Sequence, residues 1–547
     1  MCSRFWLVGL LAASFTPCPA RGTESLAPSE IMARRRGPEI FNAVSHAMRQ
    51  WGSSLHHNGM SLFLATVPEG VLLHHGNNGP ESPTEPDWLA FEIEHAEHFA
   101  RGGRGPPPPG GKPPKGGQTV PQFTLGGMER NHHARDPQED EGNDPHGYLH
   151  TYRTSRPLQF LYIDGMGGGK TTMGTLDTQD LLLRGKNSSQ EEERPWDRPL
   201  SESGPPPRKG GGPMDERQRA EDLCELCRQW DLQGVIRMEA GFEIIKCDFS
   251  DGLDEVQALQ RPDYTGSQQP GMPGLGSLES IRGISERYQG IGSHRVIIDF
   301  GSMVSAFFFP VNLTNSDRKR PDLPRLTSTS QAELAGIKAY LAGVIREQRD
   351  QSSPPINWQD ISDMIVGRYA DRIQYMAEEV GSIDTMAAEV TFLLTLFMDH
   401  STKNPDIGAA IERCSNFYIR SIRPQTEVDR LIREAFGVVT HHICETLFRI
   451  REHVVTDPTP DQLSLAASTS ALRALMEFLK WTRFKRCPPC GLGEVCTIPM
   501  WPMGTVQQYN TPRCTNGTNS EDGDSYWGHR RPGPPGDGPG RRPPRTV

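Results

Sequence analysis

Beyond its first twenty positions the 547-residue chain has no uncharged apolar run of about 18 residues, which excludes a membrane-spanning helix in that part. The longest apolar stretch, AAEVTFLLTLFM (Ala387–Met398), is short, includes Glu389 and fits a core helix. A surplus of positive charge is also missing. Lys and Arg number 58 against 68 Asp and Glu, giving a net charge of −10. With no basic patch interleaved with aromatics, nucleic acid is excluded as a partner, and the charge argues only for solubility. Ligand patterns for a metal are sparse as well. Cys487-x-x-Cys490 has the spacing of a zinc knuckle, but the second pair of tail cysteines is far apart, so disulfides are expected there instead. The pairs His56-His57 and His441-His442 are adjacent, and neighbours on a helix or strand point apart. In EIEHAEH, Glu92, Glu94, His95 and His98 read as a solvated helix face. No cofactor and no metal is called for.

The stretch LQFLYIDGMGGGKTTMGTLDTQD (Leu158–Asp180) comes close to a phosphate-binding loop but lacks its first glycine. The loop needs Gly, four residues, then Gly-Lys-Ser/Thr, so that backbone amides wrap a phosphate and the lysine reaches the outer phosphates. Counting back from Gly169, the position is taken by Asp164, and Gly165 stands one residue late. Gly165, Gly169, Lys170 and Thr171 are therefore candidates for a degenerate nucleotide site. The plainer expectation is a glycine-rich turn that leaves a strand and exposes Lys170. Asp164, Asp177 and Asp180 are then expected to form surface salt bridges.

What is present points to export. A basic start, MCSR, precedes the 11-residue apolar run FWLVGLLAASF and the small-residue segment TPCPA. This is the pattern of a signal peptide cleaved after Ala20. N-x-S/T acceptors stand at Asn187, Asn312 and Asn516. Nine cysteines remain after Ala20, an odd number that leaves at least one thiol free or intermolecular. Cys487, Cys490, Cys496 and Cys514 crowd into a Pro/Gly-rich tail with little apolar material, which needs disulfide staples in an oxidising compartment. The spacing leaves all three pairings open. Cys224 and Cys227 sit in EDLCELCRQW, an amphipathic pattern with Leu223, Cys227 and Trp230 on the core face, so packing or a bond from Cys224 to Cys247 is expected.

The expected architecture is α+β. Residues 39–315 read as short strands with few helices, interrupted by Pro/Gly-rich disordered insertions at about 101–147 and 186–214. Residues 322–485 read as five or six amphipathic helices forming a bundle. A disulfide-rich segment (486–527) and a disordered tail (528–547) follow.

The blocks WGSSLHHNGMSLFLATVPEG, WLAFEIEHAEHFA, GYLHTYRTSRPLQFLYIDGM, GVIRMEAGFEIIKCDFSDGL and VSAFFFPVNLTN, with the tail pieces CPPC, VCTIPMWPMGTV and PRCTN, resemble a family of uncharacterised fungal secretory-pathway proteins. The resemblance runs from about residue 39 to 527. It implies a fungal source, secretion, glycosylation and the Cys-rich end, and carries no catalytic residue.

The leading functional expectation is thus a secreted, non-catalytic glycoprotein with a structural or interaction role. An enzymatic alternative rests on His75-Gly76 at a strand end, a strand-helix unit at WLAFEIEHAEHFA, and Glu239 and Glu243 around a later strand. That order resembles ADP-ribosyltransferases, where such a histidine holds a ribose and a glutamate stabilises an oxocarbenium-like sugar. Phe91 stands where the resemblance requires serine or tyrosine. The plainer expectation is that His75 caps its strand and Glu243 is solvated.

Overall fold

The computed structural model describes residues 26–100, 147–186, 216–261, 275–286, 295–348, 355–401, 405–457, 459–516 and 524–527. The expected signal peptide, most of the two Pro/Gly insertions, Asn187 and residues 528–547 lie outside the described residues.

Nine strands form one sheet: β1 (Ser61–Val67), β2 (Leu72–Asn77), β3 (Asp87–Ala90), β4 (Tyr148–Thr154), β5 (Leu158–Ile163), β6 (Gly234–Met238), β7 (Phe242–Lys246), β8 (Leu253–Gln260) and β9 (Ile297–Ser305). Their order is β8-β4-β2-β3-β7-β6-β5-β1-β9. All neighbours are antiparallel except β5 and β6. A parallel pair requires a crossover, and the chain makes it through the glycine-rich loop, a π-helical turn (Thr178–Arg184) and a helix at Glu216–Gln229. β6 and β7 are buried at every residue, so both faces of the sheet centre are covered. β8 is the opposite case. Its sequence LDEVQALQ is exposed along nearly its whole length, and its charges protect a sheet edge. That polarity hid it from a pattern search.

Before the sheet come helices α1 (Glu30–Arg35), α2 (Gly37–His46) and α3 (Gln50–Leu55). By its apolar spacing IFNAVSHAMRQW (Ile40–Trp51) reads as a single helix. The chain breaks at Met48, whose φ of 55° ends the helical run and whose amide donates to the Tyr162 hydroxyl at 3.1 Å. Within the sheet region stand α4 (Ile93–Glu97), α5 (Glu216–Gln229) and α6 (Leu275–Ser285). The helical part follows as α7 (Gln331–Gln348), α8 (Trp358–Glu378), α9 (Ile383–Leu394), α10 (Ile407–Asn416), α11 (Glu427–Arg451) and α12 (Gln462–Leu479). α11 starts at a reciprocal cap between Thr426 and Asp429. It buries Val428, Leu431, Ile432, Phe436, Val439, Ile443, Leu447 and Ile450, which recur at helical spacing in the sequence. Helix α11 packs against α1, α2 and β9, so one hydrophobic core runs from the sheet into the helices.

The tail carries β10 (Val495–Thr497), α13 (Val506–Asn510) and β11 (Arg513–Thr515), with Cys496 opposite Cys514. Disulfides join Cys487 to Cys496 and Cys490 to Cys514. Two more join Cys224 to Cys247 and Cys414 to Cys444, while Cys227 is a buried free thiol. The Cys414–Cys444 bond links α10 to α11, and its partners are too far apart in sequence to be read as a pair. Asn312 and Asn516 are exposed. No described helix is long and apolar enough to cross a membrane.

Candidate active site

Sheet alternation and register decide which side chains share a face. Across β2, β3 and β7, His74 is opposite Ala90 and Ala90 is opposite Glu243. Directly paired residues point the same way, so His74, Ala90 and Glu243 lie on one face. His75 belongs to the other. Its ring lies 5.9 Å from that of His150 and 5.5 Å from that of Phe249, and its Nδ1 donates to the Trp88 carbonyl at 2.7 Å. The sequence singled out His75 from the strand-end pattern; His74 takes the matching place on the glutamate face.

On that face α4 lies over β2. A side chain at Gly76 would come within 2.2 Å of the Ala96 carbonyl and 2.5 Å of the Ala100 amide, so only glycine lets the helix sit this close. Between α4, the strands β2, β3 and β7, and the N-terminus of α5 lies a cleft lined by His74, His95, Lys170, Glu216, Glu239 and Glu243, with His75 at its margin. It is narrow. About 40 Å³ is open to the centres of water molecules, room for roughly three. His95, expected on a solvated helix face, is buried among apolar neighbours, and burial pushes its imidazole down to about 4.

Three glutamates gather at the bottom of the cleft, their oxygens within 4.8 Å of one another. Glu216 comes from the first turn of α5, Glu239 from the β6–β7 turn and Glu243 from β7. All three are buried, which corrects the expectation that Glu243 is solvated. A buried carboxylate needs a partner. Arg237, fully buried on β6, donates to Glu243 Oε1 at 2.8 Å, to Gln179 at 2.9 Å and to Glu216. Arg219 joins Glu216 to Asp180, which it grips through both oxygens at 3.0 Å. Lys170 donates to Glu239 and stands 3.8 Å from Glu216.

Lys170 is thus not the exposed residue of a turn. It is 5% exposed, with the Trp501 ring 5.0 Å from its ammonium. Asp177 and Asp180 are likewise buried, not surface pairs. Asp177 binds Arg325 at 2.8 and 3.1 Å, and Arg184 donates to Asp180 at 2.9 Å. Asp164 is buried with only the Gly165 amide at 2.7 Å, and burial pushes it up to about 7. Each departure has one cause: the glycine-rich loop threads the interior instead of turning at the surface. Its amides are engaged within the protein. Gly165 donates to Asp164, Met166 to His57, Gly168 to Met238, Gly169 to Met166 and Thr171 to Gly169. A phosphate would have to displace these bonds. The positive φ falls at Gly165 and Gly174, not at Gly168 or Gly169.

The environments of the glutamates separate their proton affinities. Burial raises Glu216, but Arg237, Lys170 and Arg219 outweigh it and hold the group well below the carboxylate range. Burial together with the charges of Glu243 and Glu216 outweighs Lys170 at Glu239 and pushes that carboxyl up to about 7. One carboxyl near neutrality beside a fixed carboxylate is the arrangement that acid–base catalysis requires. The same three glutamates have the spacing of a cation site, but the cationic groups of Lys170, Arg219 and Arg237 already occupy their oxygens, so the donor set does not fit a metal. Arg237 and Lys170 are the members that sequence reasoning missed as partners. The signal was a charged residue in the apolar strand GVIRM, where every neighbour is core.

A family model described as the YPL277C N-terminal domain matches residues 32–267. Two uncharacterized proteins of Saccharomyces cerevisiae are similar to the chain. YOR389W is 25% identical over 556 residues, covering 86% of this chain and 82% of its own length. YPL277C is 33% identical over 239 residues, 40% of this chain and 42% of its own length. No solved structure matches.

Proposed function

We propose that the α4 cleft catalyses glycosyl transfer, with Glu239 as general acid–base and Glu243 as the carboxylate facing the sugar. The observation that carries the reading is the separation of two neighbouring carboxyls, Glu239 near 7 and Glu216 far below it, at the bottom of one concave site. Among the described residues Glu216 is held by three cations, whereas Glu243 forms an ion pair with Arg237. The oxygen spacing of at most 4.8 Å is nearer the retaining arrangement of about 5–5.5 Å than the inverting one of about 6.5–9.5 Å. In the proposed reaction Glu239 protonates the leaving oxygen as its bond to the anomeric carbon breaks. Glu243 then bonds to that carbon, and water, deprotonated by Glu239, displaces it. A sugar ring is larger than three waters, so entry requires α4 or the Trp501 segment to move.

An ADP-ribosyl donor is the special case supported by the adjacency of β2, β3 and β7, with His74 in the role assigned from sequence to His75. The decisive experiment incubates the purified chain with a panel of aryl glycosides and with NAD, following phenol or nicotinamide release. Turnover that disappears in Glu239→Gln, with thermal stability retained, is the expected result. No turnover on any donor, with Glu239→Gln merely less stable, returns the cluster to a structural role. That second, non-catalytic reading is supported by the ion pairs of Lys170, Arg219 and Arg237 with the three glutamates.

We further propose that the protein is secreted and carries glycans. Four disulfides and the exposure of Asn312 and Asn516 support this. N-terminal sequencing and glycosidase treatment of the protein recovered from the medium test it. An intact Met1 with no mobility change overturns it.

A further inference from the structure

A second cavity lies on the far side of the molecule's helical part, between α2, α3, α8 and the segment that follows α12. It offers about 300 Å³ to the centres of water molecules, several times more than the α4 cleft. Its walls carry three arginines. Arg49 grips Asp363 through both nitrogens at 2.5 and 2.6 Å, and Arg483 grips Asp371 at 2.7 and 2.8 Å. Arg486 makes no ion pair with any described residue, although it lies in the same cavity. Three cations against two carboxylates leave the walls with one excess positive charge. His46 does not add to it, because burial holds its imidazole well below its ordinary range.

The second observation is independent of charge. Trp51 and Trp481 both line the cavity and are 6% and 3% exposed. They give the cavity an aromatic wall, while the indole N–H of each is shut away from its space. The Thr482 hydroxyl and a ring nitrogen of His46, 3.2 Å apart, add polar groups to the same wall.

We infer that this cavity binds a small oxyanion ligand, a phosphomonoester of roughly monosaccharide size, with its phosphoryl oxygens received by Arg486 and the Thr482 hydroxyl and its body against Trp51 and Trp481. The chemistry follows from the wall. A net positive charge selects an anion, and guanidinium is the group that recognises phosphoryl oxygens best. The volume is at the lower end of the range for small-molecule sites and exceeds what inorganic phosphate fills. The broad aromatic surfaces suit the apolar face of a sugar. The site is separate from the α4 cleft and does not depend on its reading.

The test uses the intact protein. Glucose 6-phosphate, inorganic phosphate and glucose serve as probes in titration calorimetry, with tryptophan emission and the melting temperature as parallel readouts. Saturable binding of glucose 6-phosphate with a change in tryptophan emission is expected, phosphate weaker and glucose undetectable. Equal affinity for phosphate and its ester assigns the site to the free anion and overturns the sugar-sized ligand. Arg486→Gln, at an exposed position, should leave the unliganded melting temperature unchanged and weaken binding roughly tenfold or more. Thr482→Val, which keeps the side chain's shape and deletes the hydroxyl, should weaken it severalfold. No binding at millimolar probe, or binding unchanged in Arg486→Gln, overturns the proposal.

Discussion

The ammonium of Lys170, carried on a loop of glycines, is bonded to the carboxyl of Glu239 on the neighbouring β6–β7 turn, and both are shut away from solvent. Two residues that are 69 positions apart in sequence are thereby coupled in charge. Removing the lysine leaves the glutamate with a choice between an unpaired charge and a proton. Lys170→Met should therefore cost roughly 3–5 kcal/mol above about pH 8, as for a broken buried pair, and clearly less near pH 6. Glu239 is already raised, so in the folded variant it takes a proton at the lower pH and sheds its charge. The check is chemical denaturation of both proteins at the two pH values. A loss independent of pH contradicts the coupling.

Asp164 predicts a pH dependence of the native protein. Its folded value, about 7, lies above the ordinary carboxyl value of 3.8, because burial disfavours the charged form. The folded state then binds more protons than the unfolded state between these values, so this group's contribution to stability falls as pH rises through that window and levels off above it. Asp164→Asn cannot ionise and retains an oxygen for the Gly165 amide. It should be more stable than wild type by roughly a kcal/mol or more at pH above 7, and nearly equal near pH 4. Melting curves across pH give the test.

Two glycines with the same backbone conformation should behave differently. Gly165 (φ +68°) and Gly185 (φ +69°) both lie in the left-handed region. A methyl group at Gly185 meets nothing within 4 Å, whereas at Gly165 it would stand 2.4 Å from the Gly59 amide and 2.6 Å from the His57 carbonyl. Gly185→Ala should cost only the conformational strain of about 1–2 kcal/mol. Gly165→Ala adds the collision and should cost about 3 kcal/mol or more. Denaturant midpoints of the pair decide it; equal costs contradict the packing around Gly165.

The Cys414–Cys444 bond closes a 30-residue separation inside the helical part. Replacing both cysteines by alanine should lower stability by about 2–4 kcal/mol on the loop-entropy account. The measurement is the denaturant midpoint of the double variant against wild type. A difference below 1 kcal/mol on the scale of ordinary surface changes contradicts it.

The parts legible in the sequence were those whose apolar spacing is strong. The sheet strands other than β8 and the helices α7 to α12 follow from period and propensity, and α11 is buried along the stripe its spacing defines. The exposed edge strand β8 has no apolar stripe to detect, and α6 sits between segments rich in glycine. The site was half legible. Glu239, Glu243 and Lys170 were all noticed, but for two separate readings, one catalytic and one nucleotide-binding. Only the crossover from β5 to β6 brings the glycine-rich loop against the β6–β7 turn, and no local pattern encodes that juxtaposition. Glu216 and Arg219, in a run that reads as a charged helix face, are buried because α5 docks its N-terminus over the same cluster.

Trp501, over the ammonium of Lys170, comes from the disulfide-stapled segment near the end of the chain. Tyr526 from the same region reaches His57 at 2.8 Å, directly behind the loop. The cleft built on the sheet is therefore covered by a residue of the stapled segment. Two disulfides hold that segment, so a polypeptide with Cys487–Cys496 and Cys490–Cys514 reduced should differ from the oxidised one at Lys170, hundreds of residues away from either bond in sequence.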